Sequence, residues 1–503
     1  MSVDPVRARY AEVSYPGNAF AQTHPARHAA IARLLGRPAA DVRTARVLEL
    51  GCAQGYNLLP LAAHWPQAQF VGLDFSAQEI ARGRALAEAA GLSNVAFVAG
   101  DLRTYAPPPG SFDYIIAHGV LSWVPDDTKA ALFALCSRAL APHGVAYISY
   151  NTYPGWKHRE AVRELMLLQI GGATSPADRL AAARRSLDTL DRLLVGRPES
   201  HAALTREIVA TMRRKQPGHF YHDDLDGVND PCYFLQFAAW ASEHGLAYLG
   251  EAEWETMFAE LLPPSAGAAL RAFGADRLQL EQELDYLRNR SFRCSLLVAA
   301  DGPAPGHPDP VALRTCSFGT NLRPPIGLPP LAVGTTVHFG GASPRAFSTS
   351  DPVAKAMFVL LADAWPQRVP FPSLLAGVRR LLDQHGLTPP GELEHTLLGR
   401  LLDACGRRFV DFLADLSFAR AAEVPAAPQA HPLTRLMAAQ ALPIVNRWHE
   451  SVPLDDATRA LLATLDGRRT DFTAAERQQL SDLAAASLLE LQDVSPPGLQ
   501  GKT

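Results

Sequence analysis

Glu49, Gly51, Ala53 and Gly55 stand at alternate positions in the run VLELGCAQGYNLLP, between an apolar strand signal and a helix signal. A glycine-bearing turn at such a junction offers backbone amides and open space, so the chemistry to expect is binding of a nucleotide-like ligand. A dinucleotide fingerprint needs G-x-G-x-x-G, with a small last residue that lets helix and strand pack closely. Counted from Gly51, its second place falls on Ala53 and its last on Tyr56, whose ring would wedge the helix away from the strand. The spacing that fits is acidic-x-Gly-x-small-x-Gly.

That spacing suits a backbone that approaches an amino-acid moiety with no pyrophosphate to cradle, as in loops that hold S-adenosyl-L-methionine (SAM). Downstream acids agree. Asp74 ends the second strand, where a carboxylate can accept both ribose hydroxyls, although a dinucleotide fold would place an acid there too. Asp101 ends the third strand in AGDL, at the place for the adenine amino group, and His118 follows the fourth, beside the methionine end and the reacting methyl. Cys52, Asn57, Phe75, Ser76 and Leu102 flank these positions and complete the expected cofactor-binding set. Either acid alone could be a loop cap; acids and turn at successive strand ends, lining one crevice, favour a ligand.

Methyl transfer is an in-line displacement at a sulfonium methyl, for which alignment and desolvation do most of the work. A lysine acceptor must be neutral, which from a reference pKa of ~10.4 costs about 4.6 kcal/mol at pH 7. Burial and the nearby sulfonium both favour the neutral amine, so a dedicated base is optional. An aromatic and carbonyl-lined cage would hold it. YNTYPGW supplies Tyr150, Asn151, Tyr153 and Trp156 after the fifth strand; with His118 these form the candidate catalytic set. Core packing is the competing reading, and it fits Trp123 better than residues in a Pro/Gly loop. Thr23-His24-Pro25 reads either as a lid over the cofactor or, at Thr23, as a helix N-cap. Tyr15, Thr23, His24, Trp123, Tyr221 and His222 are the candidate substrate-binding residues.

The elements that must position these groups alternate. Strand signals RVLEL (46–50), QFVGLDF (69–75), NVAFVAGD (94–101), FDYIIAHGV (112–120) and GVAYISYNT (144–152) are separated by helical runs, with a capping box at Ser76 and Glu79. This predicts an α/β fold with a parallel, doubly wound, Rossmann-like sheet. Residues 1–40 form a lid segment and 41–156 the SAM-binding core. Residues 157–230 read as a helical insertion with a possible dimerisation role. Residues 231–300 return two strands to the sheet; 301–345 read as a linker with a small β element, and 346–503 as a mainly α, winged-helix-like domain.

The chain has 503 residues, 48% hydrophobic and 19% charged, enough for several globular cores. Its net charge of −4 gives no basic field for nucleic acid. Six scattered cysteines without a Cys-x-x-Cys pair suit a reducing cytoplasm. No signal peptide and no membrane span is expected.

SYPGNAFAQTHP, VLELGCAQGYNLLP, FVGLDFSAQEI, FDYIIAHGVLSWVP, GVAYISYNTYPGW, YHDDLDGVNDPCYFLQF, HGLAYLGEAEW and LDYLRNRSFRCSLL cover most of residues 10–300. Through them the chain resembles class I SAM-dependent methyltransferases that carry a methyltransferase regulatory domain. DPVAKAMFVLLADAWP is similar to the C-terminal domain of bacterial protein-lysine methyltransferases. The resemblance implies SAM as cofactor, a multidomain chain and a homodimer. His219, His222, Asp223 and Asp224 are types fit for a metal, but they match the family's YHDDL stretch, so a hydrogen-bonded loop near the acceptor pocket is expected and no metal. AHGVLSW lacks the Asn/Asp-Pro-Pro-aromatic signature of enzymes acting on nucleic-acid bases. The expected function is methyl transfer to a protein side-chain amine. The alternatives are a small-molecule O- or N-methyltransferase and a SAM-binding scaffold without turnover.

Overall fold

Short apolar runs set between amphipathic helices fold as their alternation predicts. The structure is a computed structural model that describes residues 13, 17–225, 227–258, 276–327, 330–341, 345–415 and 424–490. Helix α1 (Pro25–Leu34) leads into β1 (Arg46–Leu50), α2 (Leu59–His64), β2 (Gln69–Asp74), α3 (Ala77–Ala89) and β3 (Val95–Ala99). Then come β4 (Phe112–Ala117), α4 (Asp126–Ala139) and β5 (Leu140–Asn151). The Ser76 hydroxyl caps α3 by accepting from Glu79 N, while the Glu79 carboxylate turns to Arg82 and Gln54 instead of closing the box.

β6 (Leu246–Glu251) and β7 (Phe292–Ala299) rejoin the same sheet, whose order is β3-β2-β1-β4-β5-β7-β6. The first five strands pair in parallel, but β7 runs antiparallel to both β5 and β6, so the sheet is mixed at this edge. The order reverses between β1 and β4, and this switch point opens the crevice at their carboxyl ends. Strand alternation sorts the faces. Val47, Phe70, Ile116 and Val145 face α1 and part of the C-terminal region, whereas Leu48, Ile115, Ile148 and Tyr150 face α4 and the helical residues Phe234, Phe237 and Ala241.

The insertion comprises α5 (Gly155–Ile170), α6 (Pro176–Leu194), α7 (Ser200–Arg213) and α8 (Pro217–Leu225), with its own core of Val162, Met166, Leu187, Val209 and Phe220. The YHDDL run expected as a loop lies inside α8. α9 (Phe234–Glu243) and α10 (Arg277–Arg288) flank β6 and β7. There Arg293, fully buried, contacts Glu251 at 2.7 Å, Asp285 at 2.9 Å and Glu281 at 3.1 Å.

Beyond the sheet, β8 (Cys316–Gly319), β9 (Val337–Phe339) and β10 (Phe347–Thr349) precede α11 (Pro352–Ala364), β11 (Val369–Pro370), α12 (Phe371–Gln384), α13 (Leu393–Gly406) and β12 (Asp411–Ala414). Their sheet order is β11-β8-β12, so the segment expected as a linker with a small β element supplies the central strand of a helical module. Four residues between Pro/Gly stretches are too short for a strand signal to stand out. α14 (Pro432–Ala439), α15 (Asp456–Thr464) and α16 (Ala474–Ala485) follow. Leu397 and Phe412 join the core under α1, whereas Leu433, Leu462 and Leu480 pack with Leu59, Ile80 and Phe97 around the cofactor turn. The span 346–503 therefore contributes to two separate cores. No helix among the described residues is long and apolar enough to cross a membrane.

Candidate cofactor and acceptor site

The turn after β1 winds through the left-handed region at Gly51 (φ +72°), Ala53 (φ +46°) and Gly55 (φ +77°). Its backbone then faces the acid at the end of β2. Ala53 N donates to Asp74 Oδ2 at 2.9 Å, and Ser76 N donates to Asp74 Oδ1 at 2.8 Å. Burial pushes the Asp74 carboxyl up, against the pull of these two amides. A Cβ on Gly51 would lie 2.8 Å from Val120, a cavity-lining residue, so glycine keeps this wall open.

Glu49, next to last in β1, is buried. Asn57 Nδ2 donates to its Oε1 at 2.7 Å, while Oε2 has no hydrogen-bond partner among the described residues. Burial raises this carboxyl to about 8, opposed by the Asn57 bond. An unpaired buried carboxylate oxygen wants a cationic donor, and the ammonium of an amino-acid ligand is one.

Glu49 and Asp74 open onto a cavity of about 440 Å³ that runs to the insertion helices. Of the expected cofactor-binding set, Glu49, Gly51, Cys52, Ala53, Asn57, Asp74, Phe75, Ser76, Asp101, Leu102 and His118 line it. Gly55 does not. A Cβ there would sit 2.4 Å from the Phe97 ring, so its role is close packing behind the turn. Asp101 is gripped by Arg103, which also reaches Asp127 at 2.9 Å. His118 Nδ1 lies 2.9 Å from the Tyr147 hydroxyl and 3.2 Å from Ser149 Oγ, and burial lowers its imidazole to about 4. The Phe20 ring packs on it, centroids 4.0 Å apart.

Among the candidate acceptor groups, Asn151, Trp156, Trp123 and His222 line the cavity. The four-residue cage does not form. Tyr150 is an inward residue of β5, stacked on Phe237 at 4.2 Å with its hydroxyl on Ser295. Tyr153 turns its hydroxyl to Glu160 at 2.8 Å and its ring toward Tyr233. Trp156 lines the cavity, and its ring carries Arg159 at 4.6 Å. Thr23 is not the helix cap: it lies buried against Asn57 Oδ1 at 3.0 Å, and His24 is the N-cap of α1. Tyr221 is in the insertion core. Tyr15 lies outside the described residues. On α8, His222 Nε2 meets the Val13 carbonyl at 2.8 Å, and Asp223 and Asp224 bind Lys215, with Asp224 also holding Arg159. Among the described residues no group of three or more His, Cys, Asp and Glu side chains is placed to hold a metal ion.

Sequence reasoning missed Phe20, Arg103, Arg159, Lys215 and Phe292, all on the cavity wall. Phe20 and Arg103 neighbour expected positions and were reachable; Arg159 and Lys215 arrive from the insertion, which no local pattern announces.

A mixed sheet in this order, a glycine turn aimed at a strand-end acid, and an unpaired buried carboxylate are the features expected of a class I SAM-binding site. Residues 47–144 match the methyltransferase domain family, 217–299 the predicted methyltransferase regulatory domain, and 427–495 the PKMT C-terminal winged helix domain. The chain belongs to the SAM-dependent methyltransferase family that carries this regulatory domain, and SAM is the cofactor of that family. It is 36% identical over 292 residues to the uncharacterized protein RP789 of Rickettsia prowazekii, spanning 58% of this chain and 53% of that one. To RP028 of the same organism it is 32% identical over 228 residues, covering 45% of this chain and 91% of that one. The chain thus spans about half the length of RP789. Its fold is that of PKMT2 from Rickettsia typhi in complex with AdoHcy, with TM-score 0.84 and 24% identity over 94% of this chain and 99% of that one.

Proposed function

We propose that this chain transfers the methyl group of SAM to a protein side-chain amine, lysine first. The observation that carries the reading is one continuous cavity lined by Glu49 and Asp74 and also by Asn151, Trp123 and Trp156. SAM, when bound, supplies a sulfonium methyl open to in-line attack. Asp74 would accept from the ribose hydroxyls, Asp101 from the adenine amino group, and Glu49 Oε2 from the ammonium. Asn151 would present its amide to the acceptor nitrogen, with Nδ2 already committed to Asn229 at 2.9 Å. His118, neutral at physiological pH, acts as a shaped wall rather than a proton carrier. Arg159 and Lys215 line the cavity paired with Asp223 and Asp224, so burial and the sulfonium charge are what favour the reactive neutral amine. A protein acceptor, not a nucleic acid, agrees with the net charge of −4 and with the PKMT-type winged helix match. Six free, buried cysteines suit a reducing cytoplasm.

The test is methyl-labelled SAM incubated with purified protein and an extract of its host lacking the gene. Label in protease-sensitive material that yields methyl-lysine on hydrolysis is expected. Label confined to small molecules would replace the protein acceptor with a metabolite, and none in either fraction would leave a SAM-binding scaffold.

A further inference from the structure

Asn57 is held by four partners. Its Oδ1 accepts from Phe20 N at 3.0 Å and from the Thr23 hydroxyl at 3.0 Å and faces His449 Nε2 at 2.7 Å, while its Nδ2 donates to Glu49. The Phe20 amide can only donate, which fixes Asn57 with its oxygen toward His449. His449 must then donate from Nε2, leaving Nδ1 bare, buried and without a hydrogen-bond partner among the described residues.

We propose that His449, 392 positions from Asn57 and carried on the C-terminal winged-helix segment, is a positioning residue for the cofactor pocket. It clamps Asn57, which in turn aims Glu49 at the ligand. The proposal rests on the reading of the Glu49 turn as the SAM site.

The local backbone is built to present this ring. Asn446 Oδ1 accepts from Trp448 N at 2.9 Å and Glu450 N at 3.0 Å, closing a tight turn that puts His449 at φ +62°. A non-glycine residue in that region is strained, and such strain concentrates where a side chain is aimed for function. Burial keeps the imidazole neutral, lowered to about 3, so it offers a donor without a charge beside the cofactor's cations. The same turn makes a second tie: Ser451 Oγ donates to Asn18 Oδ1 at 2.8 Å, and Asn18 and Phe20 both line the cavity. The winged-helix segment therefore touches the cofactor end of the cavity, and its removal would disturb SAM binding as well as acceptor docking.

The experiment is calorimetric binding of S-adenosylhomocysteine to the full chain, with a thermal melt of each variant. His449→Ala should weaken binding about five- to tenfold, the scale of one buried hydrogen bond. His449→Gln, whose amide can donate in place of Nε2, should restore most of it. Thr473→Ala, which removes the N-cap of α16 and destabilises the same segment without touching Asn57 or the turn, should leave affinity within about twofold. Wild-type affinity in His449→Ala, no rescue by glutamine, or an equal loss in Thr473→Ala would each overturn the proposal. Asp74→Ala separates the underlying reading: tight binding there would mean that the ligand sits elsewhere, whatever His449 does.

Discussion

The Ala53 amide and the Asp74 carboxylate meet at 2.9 Å, which joins the apex of the glycine turn to the end of the neighbouring strand. With Ser76 N on its other oxygen, Asp74 is the tie that shapes the turn, and in the proposed function it is also the ribose acceptor. Asp74→Ala should therefore cost more than two ribose hydrogen bonds. A loss of about a hundredfold or more in S-adenosylhomocysteine affinity is expected, since hydrogen bonds to a charged group contribute ~1.5–3 kcal/mol each. Asp74→Asn keeps one acceptor and should lose less. Calorimetry on the two variants checks the order; an unchanged affinity in Asp74→Ala would remove the ribose assignment.

Glu49 predicts a proton count. Without ligand its carboxyl is raised to about 8 by burial, so at pH 7 it is mostly protonated. A ligand ammonium at Oε2 favours the ionised form, and binding at pH 7 should release about one proton. The enthalpy of binding, measured in buffers of different ionisation enthalpy, reads this directly, and Glu49→Gln should abolish the release. The sign for stability follows from the same raised pKa. Above the unfolded value of ~4.3 the unliganded fold binds the proton more tightly than the open chain, so it loses stability as pH rises toward about 8. Glu49→Gln should remove that slope. A buffer-independent binding enthalpy in the native protein would show that Glu49 does not meet the ammonium.

The cofactor end was legible because its groups are local to strand ends: Glu49, Asp74 and Asp101 each follow an apolar run that announces its own strand. The acceptor end was less so. Strand alternation separates Tyr150 from Asn151, since β5 runs through Asn151 and sends Tyr150 to Phe237. That parity was available in the sequence and outweighs the appeal of an aromatic cluster. Gly55 was read as ligand-facing from motif spacing alone, whereas its constraint is Phe97, forty-two residues on, brought close by β3. His449 carries no sequence signal that links it to Asn57. Only tertiary packing of the last core against α3 and the turn brings the two together.

Gly55→Ala tests that packing. The substitution puts an L side chain at φ +77° and a methyl 2.4 Å from the Phe97 ring. The backbone part should cost ~1–2 kcal/mol and the overpacking ~1–3 kcal/mol, seen as a lower thermal midpoint and weaker S-adenosylhomocysteine binding. Phe97→Leu in the same chain should recover part of the steric loss but not the backbone part, giving a non-additive cycle. Strict additivity of the two changes would show that the ring is not what the methyl meets.

Arg293→Met addresses the buried knot that joins β6, β7 and α10. Arg293 offsets Glu251, Asp285 and Glu281 inside the fold; without it Arg290 would remain, against Asp285 at 3.1 Å and Glu251 at 4.0 Å. Removing one partner of a buried ionic group costs ~3–5 kcal/mol because the others stay desolvated and uncompensated. In the native protein Arg293 holds the Glu251 carboxyl down against its burial, while burial leaves Asp285 and Glu281 raised. Without the guanidinium all three should titrate above their unfolded values, and a raised acid destabilises the fold as pH climbs past the unfolded pKa. The stability deficit of the variant should therefore be largest near pH 8 and shrink toward pH 5.5, where protonation relieves the mutual repulsion. Thermal unfolding of native and variant chains at both pH values checks this. A deficit that stays flat, or grows on acidification, would mean that Arg293 stabilises through its packing against Phe234 at 4.1 Å and not through its charge.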